Sequence, residues 1–356
     1  MTSRREFLAG LVASFGAPKI GWADVGNPRY LAAAKDQTEF AIFGLDQNFA
    51  ATFRVPLPAR GHAGAAHPAQ PIVVAFARRP GDFALVIDCS SGHITQRLTP
   101  PSGVHFNGHG VFMFDGDLLV TSEQDSETSA GQLGLWDVTS NFTRIGAVPT
   151  HGIGPHEILL MPDQITIAVA NGGIKTDPNT RAKLNIETME PNLSYIGLDA
   201  GLIDKVTLDT ELHKNSIRHL AVRDDGLVAI AMQWQGDLAA APPVVGLHRF
   251  GEPLKLLTAE LGAEIDMQGY GGSVSFSGDG QNIAVTSPIR GRINVFDDSG
   301  TFVSSHIQTD VCGLARDDIG FVTTDGNGNI SQLALSGIQT VQRHSVNWDN
   351  HIIARF

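Results

Sequence analysis

Two cysteines in 356 residues, Cys89 and Cys312, are too few for a disulfide framework. They stand far apart in the repeat set out below, so two buried, unpaired thiols are expected. Charged residues make up only 17% of the chain against 42% hydrophobic, which excludes disorder and provides for a large core. Lysine and arginine total 25 against 37 acids and form no basic run, so the net charge of −12 repels phosphate backbones and anionic lipid. Nucleic acid is thereby excluded as an expected partner. No stretch of 18 or more apolar residues follows the first 23, so no membrane insertion is expected. Also missing, in the strand–helix setting they need, are a G-x-S-x-G elbow, a P-loop and a Rossmann fingerprint.

What the chain does have is punctuation. Thirty-nine glycines and 18 prolines, spread along its whole length, favour short strands and tight turns over long helices. GYGGS at 269 reads as one such turn. The acidic stretch Glu123, Asp125 and Glu127 reads as solvated surface.

Residues 3 to 8, SRREFL, pair two arginines ahead of a mildly apolar run, LAGLVASFGAP, that ends in small residues near Gly21 and Ala23. This order is that of a twin-arginine export signal, assigned to residues 1–23, which places the protein in the periplasm. Arg4, Arg5, Lys19 and Glu6 leave with it, a net +2, so −12 becomes −14 in the mature chain, residues 24–356.

Six segments share one grammar: an apolar strand, a turn containing Asp or Gly, and a second apolar strand. They read PIVVAFARRPGDFALVID from 71, HGVFMFDGDLLVTSE from 109, HEILLMPDQITIAVAN from 156, HLAVRDDGLVAIAMQ from 219, GSVSFSGDGQNIAVTSP from 272 and CGLARDDIGFVTTDG from 312. Each is a hairpin. Segments such as GQLGLWDV, TRIGAVP, GRINVFDD and FVSSHIQT supply third and fourth strands. The closing HIIARF reads as an innermost strand, and FAIFGLD and ATFRVPL near Phe40 and Phe53 as strands that pair with it. The expected fold is therefore all-β, a single seven-bladed β-propeller closed by N- and C-terminal strands sharing one blade. A two-sheet sandwich is the competing architecture. The 156 unit carries about 20 extra residues between its second and third strands, either lying over one face or forming a solvated loop.

Four histidines, His109, His156, His219 and His351, begin innermost strands, so a propeller would gather their imidazoles at one mouth of its channel. His62 and His67 could reach the same mouth from ARGHAGAAHP, and His67 is added to the candidate metal ligands. Nitrogen-rich ligation of this kind suits copper, zinc, iron or nickel. The alternative is that each imidazole braces neighbouring strands. The position is similar to that in nitrous-oxide reductases, whose propeller channel carries histidines that hold a copper cluster. Arg78, Arg79 and Arg218 offer fixed positive charge to an anionic ligand, or pair with neighbouring carboxylates.

At HFNGHGVFMFDGDLL, THGIGPHEI, VANGGIKTDPNTRAKLNIETMEPNLSYI, SIRHLAV and WDNHIIARF, the sequence resembles a bacterial family catalogued only as a domain of unknown function. The resemblance runs from about residue 36 to the C-terminus, with one departure at Asp177, where the family pattern favours histidine. It implies an exported propeller that accompanies imelysin-like iron-uptake proteins. The expected function is thus a periplasmic propeller that binds a transition metal, or a metal-bearing partner, at its histidine mouth as an accessory to iron acquisition. A metal-dependent oxidoreductase or a lactonase-like hydrolase on the same mouth is the alternative.

Overall fold

The computed structural model describes residues 20–78 and 82–355. Arg79 and most of the expected export signal lie outside the described residues. Twenty-eight strands form seven four-stranded antiparallel sheets, arranged as a closed seven-bladed β-propeller. From blade 2 to blade 7, the innermost strands are Gly61–Ala66, Val104–Met113, Pro155–Leu160, Asn215–Val222, Ser273–Phe276 and Val311–Arg316. Blade 1 takes its innermost strand, Asn347–Ala354, from the C-terminal end of the chain and its other three from the N-terminal end.

The middle strands of each blade are covered on both faces, which is why they read as continuous apolar runs rather than alternations. Thr166–Asn171 is buried at every position. Seven apolar clusters fill the seven gaps between neighbouring blades, from Val73 and Leu31 between blades 2 and 1 to Val322 and Trp348 between blades 7 and 1. Closure leaves no innermost strand without a neighbour on either side, so no sheet interface is open to another chain at the ring's seam.

Two strand assignments shift. The strand that pairs with the C-terminal one is Tyr30–Asp36, with Tyr30 opposite Ala354 and Leu31 opposite Ile353. Phe40 and Phe53 lie on the two strands outside it. Its sequence, YLAAAKD, is rich in alanine, a weak strand former, and burial in the ring overrides that propensity. Likewise the segment from 71 supplies the second and third strands of blade 2, and the Gly/Ala-rich Gly61–Ala66 is the innermost.

The seam is tied by the last described residue. Arg355 donates its backbone N–H to the Arg29 carbonyl at 2.8 Å and its Nε–H to the Pro28 carbonyl at 3.0 Å, and its guanidinium lies 4.7 Å above the Trp22 ring. Trp22 is itself buried in the core between blades 1 and 2, its indole N–H donating to the His67 carbonyl at 2.9 Å.

Glu123 is not solvated surface. It is fully buried on the second strand of blade 3, where it accepts two hydrogen bonds from Arg144 (2.7 and 2.9 Å) and one from Thr121 (2.8 Å). Asp125 takes the backbone N–H groups of Glu127 and Thr128 and so closes its own turn. Cys89 and Cys312 are both buried and unpaired, as expected.

Candidate metal centre

An innermost strand that runs straight presents its side chains alternately to the two neighbouring blades, not down the channel. Six of the seven avoid this with a β-bulge, a break in register that re-aims side chains. The skipped or flanking residues are His62 in blade 2, His109 in blade 3, His156 and Glu157 in blade 4, Arg218 and His219 in blade 5, Cys312 in blade 7, and Asp349 to His351 in blade 1. Blade 6 pairs without a break and supplies no histidine.

Five consecutive blades thus each send one imidazole to the same point. Ring centroids are 4.9 Å apart for His62 and His109, 4.7 Å for His109 and His156, 4.8 Å for His156 and His219, 4.8 Å for His219 and His351, and 4.7 Å for His351 and His62. The potential ligand atoms of His62, His109 and His156 lie within 4.8 Å of one another, as do those of His109, His219 and His351. Gly108 makes room for this crowd. Its φ of +93° is left-handed, and a Cβ there would stand 2.5 Å from Cδ2 of His62.

The four histidines expected from sequence are therefore brought together. His67 is not: it lies just past the far end of the strand Gly61–Ala66 that carries His62, where Nδ1 accepts from the N–H groups of Ala69 and Gln70 and the ring packs on Phe112. The fifth ring is His62. The signal for it was spacing, since His62, His109 and His156 succeed one another at 47 residues. Glu157 was also passed over. Its Oε2 accepts the Leu220 N–H at 2.9 Å and lies 3.2 Å from Nδ1 of His219, while Oε1 lies 3.8 Å from Nδ1 of His109.

Burial is the largest influence holding His62, His109, His156 and His351 well below the ordinary imidazole range, and the charges that neighbouring imidazoles would carry add to it. These rings are neutral at pH 7. Burial pushes the Glu157 carboxyl up, but the hydrogen bonds it takes from His219 and the Leu220 N–H help pull it below its usual value, so it is ionised. Four imidazole nitrogens, Nδ1 of His62 and His156 and Nε2 of His109 and His351, are buried with no hydrogen-bond partner among the described residues. Strand-bracing histidines would be paired; lone pairs left bare in one small volume are what a metal ion takes.

The histidines divide the channel. Below them a cavity of about 440 Å³ is lined by His109, Glu157 and His351. Above them a chamber of about 250 Å³ is lined by His62, His156 and His219 and walled by the long insertion of blade 4. That insertion folds over the face through Ile174, Thr176, Arg181 and Lys183, pinned by the Thr176–Lys183 bridge. Asp177 sits in its turn, where it accepts the Asn179 and Thr180 N–H groups.

Residues 55–355 match the model of a family described as a protein of unknown function, DUF1513. The chain belongs to this family. No curated protein matches. Among solved structures, the chain is similar to Kuenenia stuttgartiensis hydrazine synthase, at 13% identity and a TM-score of 0.59, covering 94% of this chain and 99% of that one. At that identity the likeness extends to the fold alone.

Proposed function

We propose that this propeller binds a transition-metal ion through His62, His109, His156, His219 and His351, and that it does so in the periplasm as an accessory to iron acquisition. The observation that carries the metal reading is the convergence of five imidazoles from five blades, four of them with a buried and unpartnered nitrogen. Leaving each such nitrogen unsatisfied costs on the order of 1–3 kcal/mol, a cost that metal coordination removes. Neutral nitrogen donors suit copper, zinc or iron. The paired Arg4 and Arg5 ahead of an apolar run support the compartment, and the family resemblance supports an imelysin-type partner.

Elemental analysis of untagged protein from the periplasm tests the reading, followed by calorimetric titration with copper, zinc and ferrous iron. Wild type should take up one of them, and a His156→Ala/His219→Ala variant should lose that binding while keeping its fold. Equal affinity in both would place the metal elsewhere; absence of metal and of binding would leave the imidazoles structural. The second reading, a metal-dependent oxidoreductase or hydrolase, is favoured by the cavities on either side of the cluster, which leave an ion room for an exchangeable ligand.

A further inference from the structure

The chamber above the histidines has a wall that contradicts the composition of the chain. In a protein with 37 acids and 25 basic residues, this chamber is lined by Arg78, Arg181, Lys183 and Arg218 and, among the described residues, by no aspartate or glutamate. Asn107, Gln124, Gln233, Asn350 and Tyr270 complete its polar surface.

Apart from Nδ1 of His62 and His156 and the Thr176 hydroxyl, its buried unpartnered groups are all N–H donors. Arg218 is the residue skipped in the bulge of blade 5, so its guanidinium is aimed away from the sheet; it forms no ion pair among the described residues, and its Nε is buried without a partner. Arg78 faces Asp349 at 3.5 Å, but that carboxylate is already bound by Arg60 at 2.6 and 3.0 Å, and Nη1 of Arg78 has no hydrogen-bond partner. The side-chain amide nitrogens of Asn107 and Gln124 are buried and unpartnered as well. Among the described residues Lys183 donates to a neutral acceptor, the side-chain amide oxygen of Gln235. The ionised Glu157 lines the cavity on the opposite side of the histidines. Buried donors in such numbers are normally satisfied, and the group that satisfies them together is an anion with several acceptor oxygens.

We propose that this chamber binds a small oxyanion, carrying carboxylate or phosphate groups, held by Arg78, Arg218 and Lys183 and the amides of Asn107 and Gln124. The volume limits it to a small molecule or a single group of a larger one. Because His62, His156 and His219 share the chamber, the bound oxygens would adjoin whatever the imidazoles hold. None of these donors is one of the five imidazoles, so the proposal does not rest on the metal reading.

The experiment is titration of metal-free protein, at fixed ionic strength in chloride, with inorganic phosphate and separately with malonate. Arg218→Gln and Lys183→Gln variants are measured alongside wild type, together with the unfolding midpoint of each without anion. At least one probe should bind wild type, raise its midpoint, and bind Arg218→Gln at least tenfold more weakly. Lys183→Gln, a change on the exposed insertion, should weaken the same probe several-fold with the anion-free midpoint unchanged, which keeps the test decisive should Arg218→Gln fail to fold. Binding of phosphate alone assigns a phosphoryl ligand, and of malonate alone a carboxylate. Failure of both probes on wild type, or equal affinity for the variants, overturns the proposal. Anion binding seen only after loading with copper or zinc also overturns it, because the anion is then a ligand of the metal, whose site would stand. Anion binding by a protein that takes up no metal leaves this proposal in place while the metal reading falls.

Discussion

Glu157 bridges two blades at the histidine cluster: its Oε2 lies 3.2 Å from Nδ1 of His219 and accepts the Leu220 N–H at 2.9 Å. A carboxylate in that place fixes the proton of His219 on Nδ1 and turns Nε2 toward the cluster, the support that metal-binding imidazoles usually have. Glu157→Gln should therefore weaken metal binding by about 10- to 100-fold with little change in the metal-free unfolding midpoint. Calorimetric titration measures this, and unchanged affinity would show that the carboxylate does not orient the ring.

Acid should destabilise the metal-free protein. His62, His109, His156 and His351 have folded-state values well below the ordinary one of about 6.5, so below that pH the unfolded chain binds protons that the folded chain does not. Stability is thus fully present above about pH 6.5 and declines as pH falls, each differing proton contributing about 1.4 kcal/mol per pH unit. Denaturant unfolding of metal-free protein at pH 8, 6.5 and 5.5 should show the decline, and His109→Leu should shallow it. A flat profile would mean that the rings protonate freely in the folded state.

Removal of residues 351–356 takes away the pairing of Ile352, Ile353 and Ala354 with Ala32, Leu31 and Tyr30, along with the Arg355 ties. The ring should open at blade 1, with a fall of at least about 5 °C in the unfolding midpoint. A midpoint equal to that of the full chain would refute closure by this strand.

Burial pushes the thiols of Cys89 and Cys312 up to about 12. Neither is a thiolate at pH 8, and native protein should react with no equivalents of a thiol-specific disulfide reagent over a time in which denatured protein reacts with two. Fast labelling of one thiol in the native state would reveal local opening of its blade.

Trp22 fills the core between blades 1 and 2, inside the segment assigned to the export signal. If the chain is exported and processed as proposed, cleavage after residue 23 would delete it, so the mature chain should begin at or before Trp22. Intact mass of the exported form decides this. If the mature chain does start at residue 24, a Trp22→Ala change should leave its stability untouched.

Much of the propeller was legible because the middle strands are buried on both faces and stand out as apolar runs at repeating intervals. The innermost strands were harder. Gly61–Ala66 carries neither β-branched nor aromatic residues, since a Cβ at Gly61 would stand 2.9 Å from Cβ of Ala33 and one at Gly64 3.3 Å from the Val74 carbonyl oxygen, and so His62 was set apart from the ring it belongs to. The bulges were invisible in the sequence: an extra residue leaves the apolar pattern intact on either side while deciding which side chain faces the channel. That is why His219 could be named and Glu157, beside His156 in the same bulge, could not. Glu123 was misplaced for a related reason, because its partner Arg144 lies two strands away in the blade and no local pattern joins them.

Ring closure also sets the order of events in the life of the chain. The five imidazoles lie between residues 62 and 351, and the last belongs to the strand that completes blade 1. On a ribosome, His62 through His219 are all made before the residue that finishes their circle, so the complete donor set cannot form on a nascent chain. Only a finished and folded molecule presents the whole site, and a metal supplied any earlier meets an incomplete set of ligands.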